Sequence, residues 1–184
     1  MISRLKEETR ELHEQIEEKN LAKEIMNHCI NLETYKLLLY QNFLAYYHTE
    51  TDIKKFLPHY EDKKHEQLRK DLEQLNVSEE IPVKNDIFKL HSTAEALGAA
   101  YVVEGSALGG LVLAKNLEKC PALDSIACHH FFNGKKENLE DWKAFKKELE
   151  AYSFSETEEQ EAIEKAKATF LFFDSIFSRK YVLA

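Results

Sequence analysis

His13 and Glu17 lie one helical turn apart. At that spacing a carboxylate can accept a hydrogen bond from an imidazole N–H and fix the tautomer that a metal ion requires. Alone, His13 beside Leu12 and Ile16 also reads as a histidine at the edge of a core. Lys6 and Arg10 precede it by two turns and one turn. There they could meet the carboxylates of a flat ligand such as a porphyrin, or form an ordinary solvated edge. A second unusual stretch is A-E-A-L-G-A-A-Y-V-V-E-G-S-A-L-G-G, Ala94 to Gly110, which holds four of the five glycines in the chain. Its other residues favour helix, and each glycine in a helix interior costs about 1 kcal/mol against alanine. Gly98, Gly105 and Gly109 share one helix face, leaving a bare groove. Such a groove admits either a second helix or a flat ligand. Gly109 and Gly110, being adjacent, also soften the helix into a kink.

Other chemistries lack their residues. A di-iron carboxylate site needs paired Glu-x-x-His spacings on two helices. Glu24 with His28 and Glu61 with His65 are four apart instead. His129 and His130 are adjacent and diverge on a helix, so they are assigned no metal. No G-x-S-x-G, P-loop or dinucleotide fingerprint is present, and G-S-A-L-G-G follows no strand.

The elements that must position these residues are helical. The chain has 184 residues, with five Gly and three Pro giving few breaks, and no alternating strand pattern. This predicts an all-α, single-domain bundle over residues 1–184. A net charge of −8 argues against nucleic acid as a partner. Cys29, Cys120 and Cys128 match no disulfide or metal spacing and read as reduced, mostly core residues. The N-terminus lacks a signal-peptide apolar core and no apolar run approaches membrane length, so the expectation is a cytoplasmic protein with no membrane contact.

The first helix is predicted from Ser3 to Lys19, with Leu5, Thr9, Leu12 and Ile16 on its inner face. A short helical piece spans Leu21 to His28. Asn31 caps a long helix that Pro58 ends, and Glu61 to Leu75 covers the bundle with His65 in solvent. After an I-P-V turn, Asn85 caps a helix to about Lys119. At 1.5 Å per residue that helix would be roughly 50 Å long, so a bend near Gly105 to Gly110 is expected. Asn138 caps a helix bearing Trp142, Phe145 and Leu149. Ser155 to Glu158 is a capping box opening a Phe-rich last helix to about Tyr181.

L-K-E-E-T-R-E-L-H-E-Q-I-E, Leu5 to Glu17, together with A-A-Y-V-V-E-G-S-A-L-G-G, Ala99 to Gly110, resembles the proximal and distal helix motifs of the heme oxygenase family, in its bacterial, biliverdin-producing branch. Phe131-Phe132-x-Gly134, Trp142 with Phe145 and the Phe-rich last helix follow in the family's order. The resemblance implies a helical bundle with a kinked distal helix, and His13 as the axial ligand of haem iron with Glu17 hydrogen-bonded to it. It makes Gly105 and Gly109 the distal glycines, with Gly110 beside them. Lys6, Arg10 and Lys115 become contacts for the cofactor's carboxylates. It further implies oxidative cleavage of haem by O2 to biliverdin, ferrous iron and CO, with electrons from an external donor, a ferredoxin or a reductase. Ser106 stands where mammalian-type relatives carry an aspartate, so other groups must organise the distal side. Asn133 to Lys136 lacks the aromatic usual in that loop. A haem carrier or sensor of the same fold shares this pattern, and an interaction bundle without cofactor is the third reading. Lys143, Lys146 and Lys147 read as a solvated face able to dock an acidic partner.

Overall fold

The computed structural model describes residues 1–78, 81 and 88–183, and among these it is all-α. The helices are α1 (Ile2–Lys19), α2 (Ala22–Met26), α3 (Leu32–Phe56), α4 (Lys63–Gln74), α5 (Thr93–Gly105), α6 (Ala107–Leu117), α7 (Glu137–Ala151) and α8 (Glu156–Phe177). A short 3-10 turn at Pro121–Leu123 follows α6. α5 and α3 are the inner helices and pack against α8, while α1 lies on α8 from outside.

Local signals set most of the boundaries. Asn31 accepts a hydrogen bond from the Thr34 N–H at 2.8 Å, starting α3 as its capping residue. Ser155 and Glu158 form the expected capping box at the start of α8. α8 stops at Phe177, a turn short of the expected Tyr181. The Gln41 side chain donates to the Phe177 carbonyl at 3.0 Å and the Arg179 carbonyl at 3.3 Å, taking acceptors another turn would use. Tyr181 then packs its ring on Tyr40.

Four expectations about caps and burial change, the first that of core cysteines: Cys120 is buried, but Cys29 and Cys128 are exposed. Asn85 lies outside the described residues, and α5 begins at Thr93, where Ser92 accepts from the Glu95 N–H at 3.1 Å. Ser92-Thr-Ala-Glu95 is itself a capping-box pattern, so the signal was present in the sequence. Asn138 lies inside α7 rather than capping it, and its side chain donates to the Asn133 side chain at 3.2 Å. His65 is buried at 3 % exposure. Its imidazole Nδ1 lies 2.7 Å from Glu50 of α3, and Glu50 also accepts the backbone N–H groups of Lys64 and His65. A carboxylate from the preceding helix thus caps the first turn of α4, which has no side-chain cap of its own.

The predicted bend falls at Ser106, where α5 gives way to α6. Gly98 packs so tightly on α8 that a Cβ there would sit 2.0 Å from the Ala162 carbonyl oxygen. At this glycine the groove admits another helix. α5 is almost wholly buried, whereas α6 exposes Leu108 and Val112. By length and composition Thr93–Leu117 is apolar enough to cross a membrane, which the sequence reading did not anticipate. Half of its most apolar window is buried inside the bundle.

α1 is fixed to the bundle by Leu5 and Thr9, both buried. Outside them, ion pairs join it to α8: Arg4 with Glu159, Glu8 with Lys167 at 2.6 Å, and Lys19 with Asp174 at 3.1 Å.

Candidate functional site

One cavity of about 570 Å³ opens between α1 and the α5–α6 break. Lys6, Thr9, Arg10 and His13 of α1 line one wall. Tyr101, Val102, Gly105, Ser106 and Leu108 line the opposite wall, and Phe170, Phe173 and Phe177 of α8 close the base. Trp142 and Lys146 of α7 form part of the rim, and Tyr46 of α3 lies deeper. The volume is that of a pocket for a small organic ligand or cofactor.

His13 is held by α1 with its side chain about half exposed, its ring edge-on to Phe170 at 5.8 Å. The Nδ1 atom faces Glu17, 3.7 Å from its carboxylate, which is beyond hydrogen-bond range. Nε2 is therefore the nitrogen free for another partner. Glu17 is not part of the cavity lining.

Three cations line the cavity, namely Lys6, Arg10 and Lys146. None is paired with a carboxylate among the described residues, whereas Lys19, Lys64, Lys165 and Lys167 each have an acidic partner. Lys146 also lies over the Trp142 ring at 5.4 Å from its centroid. Unpaired cations around an apolar cleft in a chain of charge −8 favour an anionic, largely apolar ligand. The tyrosine hydroxyls in the cavity stay protonated. Burial holds Tyr46 far above the ordinary phenol range, and burial also raises Tyr101, against the lowering effect of the nearby Thr9 hydroxyl.

The remaining glycines differ from Gly98. A Cβ at Gly105 would meet only Trp142, at 4.0 Å, and one at Gly109 or Gly110 would meet nothing within 4 Å. Packing within the protein gives no reason for glycine at these three positions.

Lys6, Arg10, His13 and Gly105 thus line one cavity. Gly109 is exposed and Gly110 borders a separate, smaller cavity. Lys115 is exposed on α6 away from the lining. Lys146, Tyr46 and Tyr101 are cavity residues that sequence reasoning did not place there. Lys146 carried a partial signal, lying one turn beyond Trp142.

The architecture is an all-α bundle with a split helix facing a histidine-bearing helix across one cavity. The heme oxygenase family model matches residues 1–179, and the chain belongs to that family. A solved structure of similar fold is the NO- and CO-bound heme oxygenase from Neisseria meningitidis, at 24 % identity. It aligns over 95 % of this chain and 88 % of that one, with a TM-score of 0.72. No curated protein matches the sequence.

Proposed function

We propose that the chain is a biliverdin-producing heme oxygenase that binds haem in this cavity between His13 and the glycine-bearing α5–α6 break. The observation that carries the proposal is the space at Gly105: an open glycine faces a cavity with a histidine and three unpaired cations, and no protein atom fills it. The donor set fits haem, with one imidazole for iron, Lys6, Arg10 and Lys146 for two carboxylates, and Phe170 and Phe173 for a porphyrin face.

When bound, haem supplies the iron that engages O2 and the ring that is oxidised. The chain's own residues do the rest. Nε2 of His13 would hold the iron, and Glu17, 3.7 Å from Nδ1, would have to close by roughly half an ångström or more to accept its hydrogen bond and fix the tautomer. Lys6, Arg10 and Lys146 set the rotation of the macrocycle and so the carbon presented for attack. Gly105 leaves the distal face free of a side chain, and Tyr46 and Tyr101 offer neutral hydroxyls. Electrons come from an external ferredoxin or reductase.

Hemin titration tests the binding half of this reading. The purified protein is expected to give a saturable Soret band of a histidine-ligated haem at one equivalent, lost in His13→Ala. A His13→Ala spectrum identical to the unaltered protein's would remove His13 as the ligand. A haem carrier would pass this test, and is separated from the enzyme by turnover.

A further inference from the structure

Behind the α5–α6 break lies a second cavity, of about 30 Å³, enough for roughly one or two water molecules. Ser106 lines both this cavity and the large one, so its residue forms the partition between them. Glu104 lines the small cavity and is buried, with 7 % exposure. Its carboxylate accepts hydrogen bonds from Lys64 Nζ at 2.6 Å and from the Tyr60 hydroxyl at 2.7 Å. The outer rim of the small cavity includes Lys63 and Asp141, an ion pair of which both members are partly exposed.

A buried carboxylate costs several kcal/mol of desolvation, about as much as its pairing returns, so stability alone is weak grounds for it. Glu50 is accounted for by the first turn of α4, whose N–H groups it caps. Among the described residues Glu104 caps no helix, and it stands at the last turn of α5, two residues before the partition.

We propose that Glu104 is the proton inlet of the reaction, a positioning residue that acts through Ser106 and the small cavity rather than by touching the ligand. The inference rests on the haem reading, since reduction of O2 in the large cavity consumes protons. In each passage a hydronium ion of the solvent at the Lys63–Asp141 rim protonates the Glu104 carboxylate and leaves as water. The resulting carboxyl group gives its proton to water in the small cavity, and the Ser106 hydroxyl, which at rest donates to the Val103 carbonyl at 2.7 Å, turns from it to pass one proton on as it receives one. Every member returns to its starting charge and no electron moves. The groups facing Glu104 are Tyr60, Lys64 of α4, and Glu50 and Tyr46 of α3. Burial and the two carboxylates keep the Tyr60 phenol protonated, so it holds Glu104 in place without competing as an acid.

The test uses hemin-loaded protein with Glu104→Gln, which preserves shape, and Ser106→Ala, which alters the partition with little change to the core. Both are expected to bind hemin with the spectrum of the unaltered protein. Both are also expected to oxidise it about 10²-fold more slowly, with a larger solvent deuterium isotope effect on the rate. Glu104→Asp should restore part of the rate. Without turnover, the pH midpoint of the visible spectrum of the loaded protein should move by about one unit in Glu104→Gln. If Glu104→Gln does not fold, Ser106→Ala carries the same expectations. Normal hemin binding with unchanged rate, isotope effect and pH midpoint overturns the inlet alone. Failure of the unaltered protein to bind hemin overturns the haem reading, and the inlet with it.

Discussion

Lys6, Arg10 and Lys146 are set apart from the paired lysines of the outer face by lining a cavity whose one carboxylate, Glu14, is ion-paired with none of them among the described residues. Substituting Arg10 or Lys146 by alanine should weaken hemin affinity about tenfold each, roughly 1.4 kcal/mol, while Lys115→Ala should leave it unchanged. Fluorescence quenching of Trp142 at the cavity rim would measure all three. Equal losses for Lys115 and Lys146 would move the carboxylates to the α6 side. At this scale the sequence was legible where residues recur along one helix: Lys6, Arg10 and His13 share the face of α1 that lines the cavity. It was illegible where a partner lies on a different element. Glu50 comes from another helix, and nothing near His65 in sequence announces it. Lys115 came from the resemblance, one and a half turns beyond Gly109; both residues lie on α6 outside the cavity lining.

α5 carries two glycines with opposite roles, and the contrast is measurable. A Cβ at Gly98 would collide with the backbone of α8, so Gly98→Ala should force the helices apart at a cost of about 1–3 kcal/mol or more. That corresponds to a fall in melting temperature of about 5 °C or more. Gly105→Ala meets only Trp142, at 4.0 Å, and should leave the melting temperature of the unloaded protein unchanged or higher while weakening hemin binding. A fall in both variants alike would mean that Gly105 is also a packing glycine. The sequence showed the glycine excess and the bend, but could not divide the glycines between the two uses, because the division depends on where Ala162 of α8 passes. α8 offers a prediction about pH. Hydrogen bonds from the Ser155 backbone and hydroxyl, and then from Tyr152, hold the Glu158 carboxyl below its ordinary 4.5. Because the folded value is depressed, the stabilisation is present above the unfolded value and is lost as pH falls through the folded one. Acid melting curves of Glu158→Gln should therefore be flatter than those of the unaltered protein below about pH 4.5. Parallel curves would show that the capping box does not titrate.

The whole molecule combines a charge of −8 with a cavity mouth that is locally positive. That contrast would draw an anionic ligand to the mouth and repel it elsewhere. Raising salt from low to about 0.5 M should slow hemin association several-fold, since the Debye length shortens to a few ångströms, and should change dissociation less. Salt-independent association would remove the cations from the encounter. The all-α class was legible because few breaks and 3.6-residue periodicity agree along the chain. The way α1 and α5–α6 enclose a cavity was not, because it arises from packing on α8 between residues far apart in the chain, as where Gly98 meets Ala162 and Arg4 meets Glu159.

The central claim is oxidative ring opening, and turnover tests it most directly. Hemin-loaded protein supplied under air with a reduced ferredoxin and its reductase should lose its Soret band as a biliverdin band grows and carbon monoxide is released. Persistence of the haem spectrum, or its bleaching without biliverdin or carbon monoxide, would contradict the account.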